Sequence, residues 1–122
     1  MAWSFNNVEP VSVQIARRLR QDILRGRFQT NEQIPPVRQL AFEASVNPNT
    51  MQRALGELES EGLLLARGTV GRFVTGERAV LQKTRKRVQE DAMRALVEEA
   101  LALGVTKEEL IEFIQKEAFL CS

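Results

Sequence analysis

Five polar side chains gather at the start of one short predicted helix, and they are the residues of this chain best suited to molecular recognition. They are Asn47, Asn49, Thr50, Gln52 and Arg53. Asn47 is a favourable N-cap and Pro48 a favourable first residue, which predicts a helix beginning here. The N-terminal residues of such a helix can meet base edges in the major groove of DNA. An ordinary solvated helix face has the same pattern, so periodicity alone leaves both interpretations open.

Enzyme chemistry finds little support in the composition. The chain contains no histidine and one cysteine, Cys121, so it cannot build a zinc site, a Ser/His or Cys/His catalytic set, or an internal disulfide. A carboxylate-only active site stays open, but no pair of acidic residues stands out. We therefore predict neither an enzyme nor a cofactor.

The charge balance is nearly neutral, with a formal net charge of +1. This total gives no evidence for nucleic acid, although every basic residue before position 77 is arginine, the better residue for forked contacts to phosphate and guanine. No apolar run approaches the ~20 residues that cross a bilayer, and the N-terminus lacks the pattern of a signal peptide. We expect a cytoplasmic protein that does not contact the membrane.

Apolar periodicity predicts three short helices and then a hairpin. The first helix begins at Pro10 or Val11 and is stopped by Gly26. The second has Pro36 in its first turn and extends to Ala44. The third is capped by Asn47 and closed by Gly62. Two β-prone runs, 63–65 and 73–75, flank a glycine-containing turn whose Arg67 and Arg72 could reach the DNA backbone or minor groove. This order is typical of a winged helix-turn-helix spanning Pro10 to Gly76.

Several spaced motifs within residues 8–76 resemble the GntR family of bacterial regulators, most closely its short YtrA-type subfamily. The segments that carry the resemblance are Pro10–Ile15, Ile23–Arg27, Ile34–Ala41, Val46–Leu55, Leu58–Leu64 and Val70–Val74. The resemblance implies a winged helix-turn-helix that binds DNA, with Arg38 in the second helix as a contact. It implies further contacts from Asn47, Asn49 and Thr50 at the start of the recognition helix, followed by Gln52 and Arg53, and it makes Gly71 the wing glycine.

The chain departs from the family pattern at the second helix and the wing. Pro36 stands where serine is usual, so a side-chain cap is lost, and Ser45 occupies the position of the turn glycine. With Ala44 in place of the usual leucine, we expect looser packing of the second helix. Gly68 and Thr69 replace a common Arg-Arg-Gly run, which leaves both in doubt as DNA contacts.

The 46 residues from 77 to 122 predict two helices, the second capped by Thr106 and Glu109 in a capping box. They are too few to enclose an effector pocket of ~300–1,000 Å³, so any small-molecule effector stays unknown. Two such helices cannot bury both apolar stripes alone, which favours a homodimer, as the YtrA-type resemblance also implies. The residues predicted to mediate dimerisation are Leu81, Val88, Ala92, Leu96, Leu103, Leu110, Ile111, Phe113 and Ile114.

The sequence thus predicts a mainly α (α+β) fold, with a winged helix-turn-helix over residues 1–76 and a helical dimerisation hairpin over 77–122. Its predicted function is to repress transcription by binding an inverted-repeat double-stranded DNA operator as a homodimer. Three alternatives stay open. The winged helix could be a protein-interaction module, the hairpin could fold back on the winged domain, and the basic run Lys83–Arg87 could lie near DNA or be solvated.

Overall fold

The computed structural model describes residues 3–121, with side chains up to Ala118, and its contacts divide the chain into two units. The first unit runs to Lys83 and the second begins at Thr84, within one continuous helix. The elements are α1 (Val11–Leu24), α2 (Val37–Ala44), α3 (Pro48–Ser60), β1 (Leu64–Arg67), β2 (Gly71–Val74), α4 (Arg78–Ala102) and α5 (Lys107–Cys121). The N-terminal Met1 and Ala2 and the Cys121 thiol, on which the signal-peptide and disulfide predictions depend, lie outside the described residues.

Helix α3 is the centre of the first unit, since it packs against α1, α2 and β1. Its inward side chains are fully buried, because apolar residues recur at the helical spacing that keeps them on one face. The core that they form also includes residues from every neighbouring element. Its remaining members are Ile15, Ala16, Leu19, Ile23, Ile34, Leu40, Ala41, Ala44, Leu63, Leu64 and Val74.

Helix α2 begins one residue later than predicted, because Pro36 is its N-cap and not part of its first turn. Pro36 has an extended backbone (φ −60°, ψ 155°) and its carbonyl accepts the first helical hydrogen bond, from the Leu40 N–H at 3.0 Å. No side chain caps this end, as predicted from the missing serine. The inward residues Leu40, Ala41 and Ala44 are buried, as their helical spacing predicts, and the looser packing of α2 stays a prediction.

The turn between α2 and α3 depends on Ser45, which adopts a left-handed conformation (φ 57°, ψ 45°). Its N–H donates to the Phe42 carbonyl at 3.1 Å, and the N–H of Val46 donates to the Ala41 carbonyl at 3.0 Å. This is the arrangement that usually selects glycine after a helix, because a Cβ disfavours positive φ. The serine is therefore accommodated at a position where glycine would be unstrained.

The predicted hairpin is present as two antiparallel strands, which pair from Leu64 with Val74 to Arg67 with Gly71. The strands extend two residues further into the wing than predicted, and only residues 68–70 form the loop. Gln33 supports the wing from the preceding loop, because its side-chain amide donates to the Val70 carbonyl at 2.8 Å. Three helices followed by this hairpin confirm the predicted winged helix-turn-helix.

The long helix α4 begins against the winged unit, where Val80 and Leu81 pack on the core. Gly104 (φ 85°) ends it, and α5 then begins with the predicted capping box. The Thr106 N–H donates to the Glu109 carboxylate at 3.0 Å, and the Glu109 N–H donates to the Thr106 hydroxyl at 3.1 Å. Among the described residues, no helix is long and apolar enough to cross a membrane.

Candidate nucleic-acid interface

The polar residues at the start of α3 lie together on its outer face. Asn49, Gln52 and Arg53 are exposed and Thr50 is half-buried, whereas Met51 and Ala54 are fully buried on the opposite face. The buried face fixes the helix against the core, so the polar face is presented to solvent in a defined orientation. Helix α3 can therefore approach a groove without disturbing the fold.

Asn47 has one of its two polar groups already occupied. Its side-chain oxygen accepts a hydrogen bond from the Asn49 N–H at 2.8 Å and so caps α3. The side-chain amide nitrogen is the group that stays available for a ligand, and it can only donate. A phosphate or another acceptor is thus the chemistry that Asn47 can bind at this helix N-terminus.

Two exposed guanidinium groups, one on α2 and one on α3, are available for contacts. Arg38, in the first turn of α2, and Arg53 are exposed, and neither has a hydrogen bond or ion pair with another residue in the described part of the chain. Four arginines of the first unit differ from them, as in the pairing of Arg20 with Glu61, where the Nε–Oε1 distance is 2.9 Å. Unpaired guanidinium groups at a surface suit phosphate or guanine.

The wing presents its two arginines differently. Arg67 is exposed and lies over the ring of Phe73, with 4.5 Å between the guanidinium carbon and the ring centroid. Arg72 is directed back to α3, where it contacts Glu59 and Gln52. Of the two, Arg67 is the residue whose guanidinium lies open to solvent at the wing.

Gly71 is required by the wing geometry. It has φ 138°, and a Cβ atom at this position would lie 2.7 Å from the Gln33 amide nitrogen. Any larger residue would therefore displace the side chain that supports the wing loop. Sequence reasoning identified Gly71, but it missed Gln33 and Glu59, since neither position carries a motif that predicts a partner so distant along the chain.

A second surface of interest lies in the second unit, where many apolar side chains are exposed. Helices α4 and α5 share little contact along their lengths, and an open groove of about 840 Å³ lies between their connected ends. Six of the residues predicted to mediate dimerisation are exposed here, and Val88 and Leu110 are half-buried, whereas Leu81 packs on the winged core. The exposed six are Ala92, Leu96, Leu103, Ile111, Phe113 and Ile114.

The described residues contain no group of acidic and cysteine side chains that could hold a metal ion. The model of the GntR family of bacterial regulatory proteins matches residues 11–74. The chain belongs to the GntR family. The matched range includes α3 and both strands of the wing, and the assignment makes the GntR chain a transcriptional regulator and not an enzyme.

Two similar proteins extend over most of this GntR chain, and a third matches a smaller part of it. The transcriptional repressor YtrA of Bacillus subtilis is 28% identical over 108 residues, which span 88% of this chain and 83% of YtrA. A GntR-family regulator from Listeria monocytogenes has a TM-score of 0.83 at 26% identity, over 92% of this chain and 98% of its own. The AraR DNA-binding domain, solved with the operator ORR3, has a TM-score of 0.54 at 26% identity, over 60% of this chain and 88% of its own.

Proposed function

We propose that this GntR regulator binds an inverted-repeat DNA operator as a homodimer in the cytoplasm and represses transcription there. The observation that carries the proposal is the outer face of α3, where Asn49 and Arg53 are exposed while the opposite face of the helix is buried in the core. Arg38, in the first turn of α2, is also exposed and has no hydrogen bond or ion pair with another described residue. The AraR domain bound to an operator has the same fold, which supports duplex DNA as the ligand. Repression is the activity that is named for the relative YtrA.

The residues divide into two roles in this proposal. Arg38 contacts phosphate from the N-terminus of α2. Arg67 contacts the DNA backbone or minor groove from the wing, and Gly71 permits the conformation of the wing loop. Asn49, Thr50, Gln52 and Arg53 read base edges, because they share the exposed side of α3. Asn47 caps α3 with its side-chain oxygen, and its amide nitrogen donates a hydrogen bond to the DNA backbone.

Selection from random duplex DNA with the full chain tests this function. We expect a palindromic motif with two half-sites about one helical turn apart, because a symmetric dimer presents two reading helices. Affinity for that motif falls steeply with salt, as phosphate contacts release counterions. The Arg38→Ala variant binds all DNA sequences more weakly, and the slope of log affinity against log salt concentration falls by about one. The Arg53→Ala variant instead relaxes the preference for particular bases. Failure to enrich a motif contradicts the proposal and favours a protein-interaction module.

The homodimer is proposed from the apolar surface of the second unit. Leu103 is 78% exposed and Phe113 61%, on helices that do not cover each other's apolar side chains. Exposed apolar area of this kind is rare on monomeric proteins. A second copy offers the same apolar helices in return, as an isologous interface requires. Sedimentation at micromolar concentration is expected to give twice the 13.8 kDa chain mass, and a 13.8 kDa species contradicts the homodimer.

A further inference from the structure

Arg72 connects the wing to the recognition helix through two side chains of α3. It projects from β2, its Nε donates to the Glu59 carboxylate, and its Nη2 donates to the Gln52 side-chain oxygen at 3.0 Å. The Arg72 side chain is 19% exposed and that of Glu59 30% exposed, so the ion pair is partly shielded from water. Glu59 lies about two turns along α3 from Gln52, and the guanidinium bridges the two residues.

The contact determines which end of the Gln52 amide is available. A guanidinium has five N–H donors and no acceptor, so only the oxygen of Gln52 can face Arg72. The amide nitrogen of Gln52 is the end left for another partner, and Gln52 is exposed on the face of α3 proposed to enter the groove. Glu59 holds the guanidinium at this position and balances its charge.

A glutamine that reads adenine usually uses both ends of its amide. Its oxygen accepts from the adenine N6 amino group while its nitrogen donates to N7. In this chain a charged donor already occupies the oxygen, so a paired contact would have to share that oxygen between a guanidinium and a neutral amino group. A single donated hydrogen bond, from the nitrogen to a base acceptor, involves no such sharing.

We infer that Arg72 is a positioning residue, which orients Gln52 so that its amide nitrogen reads a base acceptor and its oxygen reads no base. Purine N7, guanine O6 and thymine O4 are the major-groove atoms that fit this donor. The inference rests on the proposed function, since it assumes that α3 enters the major groove. It changes the role of Arg72 from a wing contact with DNA to a determinant of base preference on α3.

The test compares selections from random duplex DNA with the wild-type chain, Arg72→Leu, and Arg25→Leu as a control at an exposed arginine outside the proposed interface. Removal of Arg72 frees the Gln52 oxygen, so we expect one position of the half-site to shift toward adenine, by about fivefold in relative preference, which corresponds to one ordinary hydrogen bond. The Arg25→Leu variant keeps the wild-type order of bases at that position. In a Gln52→Ala background, Arg72→Leu no longer shifts the preference.

A merely structural role of Arg72 would weaken binding to all sequences and leave the order of bases unchanged. Glu59→Gln provides a second variant if Arg72→Leu fails to fold, because it keeps the arginine and removes the charge that holds it. We expect a smaller shift toward adenine with Glu59→Gln, at the same position. Thermal unfolding of each variant identifies those that fold.

Three results overturn the inference, and they are distinguishable from one another. If the wild-type chain enriches no motif, the proposed function fails and the inference fails with it. If the wild-type chain enriches a motif but Arg72→Leu gives the same order of bases as the wild-type chain and Arg25→Leu, the inference alone fails. It also fails if the shift persists without Gln52, because Arg72 would then act by another route.

Discussion

Asn47 illustrates how one side chain at this surface serves both the fold and the proposed contact with DNA. Its oxygen caps α3 at 2.8 Å from the Asn49 N–H, and its amide nitrogen faces outward with only donors to offer. The cap stabilises α3, and the amide nitrogen contributes to the affinity for DNA. Because different atoms perform the two roles, a pair of substitutions can separate them.

Asn47→Asp keeps an oxygen for the cap and replaces the amide nitrogen with a second, negatively charged oxygen. We expect the free energy of unfolding to stay unchanged or rise slightly, since a carboxylate is favourable at a helix N-terminus. DNA affinity falls at least tenfold, because the new charge opposes phosphate. The control Asn47→Ala loses about 1 kcal/mol of stability with the cap. Urea unfolding and DNA titration of both variants check this, and unchanged affinity in Asn47→Asp would exclude a contact at this position.

At the scale of elements, the turn between α2 and α3 is the clearest place where the chain carries strain. Ser45 has φ 57° there, and the left-handed region costs a non-glycine residue about 1–2 kcal/mol. Glycine removes this cost but loses more backbone entropy on folding, by about 0.5–1 kcal/mol. The two effects oppose each other, and the first is the larger.

We therefore expect Ser45→Gly to stabilise the chain by about 0.5–1 kcal/mol. The matched control is Glu43→Gly, an exposed position inside α2, where glycine lacks this relief and costs about 1 kcal/mol. Denaturant unfolding measures both variants under identical conditions. If both glycines destabilise the chain equally, the left-handed conformation of Ser45 does not store strain.

The capping box of α5 gives this element a dependence on pH. Hydrogen bonds from the Thr106 backbone N–H, and then from its hydroxyl, lower the pKa of Glu109 below its ordinary value of 4.5. A carboxylate with a lowered pKa in the folded chain contributes stability that is fully present above its ordinary, unfolded pKa. This contribution disappears as the pH falls through the folded pKa. NMR titration of Glu109 is expected to give a midpoint below 4.5.

Glu109→Gln is the control for this prediction, because it keeps an acceptor and has no charge to lose. The loss of stability on acidification should be smaller in Glu109→Gln than in the wild-type chain, by the contribution of this one group. A Glu109 midpoint at or above 4.5 would show that the capping box does not favour the ionised carboxylate.

The elements were predictable from the sequence to within a few residues, and the reasons are local. Apolar spacing, Asn47-Pro48 at a helix start and glycines at helix ends act within one or two turns of chain. The pairing of Arg72 with Glu59 and Gln52 was not predictable, because it depends on how the wing folds back over α3. The same holds for Gln33, whose support of the wing spans 37 positions.

At the scale of the whole molecule, the two units distribute their apolar residues differently. The winged unit encloses its large apolar side chains in one core, with few exceptions such as Phe42, which is 86% exposed on α2. The second unit leaves Leu96, Leu103 and Phe113 exposed, because α4 and α5 do not cover one another. The first pattern is that of a self-sufficient fold, and the second supports the proposed homodimer.

Phe113→Asp places a charge in the centre of this exposed apolar surface and should dissociate the proposed dimer. Phe42→Asp is the matched control, since it changes the same residue type at an even more exposed site in the winged unit. We expect Phe113→Asp to sediment as a 13.8 kDa species while Phe42→Asp keeps the dimer mass.

Affinity for a full inverted repeat should fall by about a hundredfold in Phe113→Asp, because two linked winged units bind far more tightly than one. Affinity for a single half-site should stay unchanged, since the winged unit is intact. A Phe113→Asp chain that remains dimeric would place the interface elsewhere, and equal loss on the half-site would show that the substitution damages the winged unit itself.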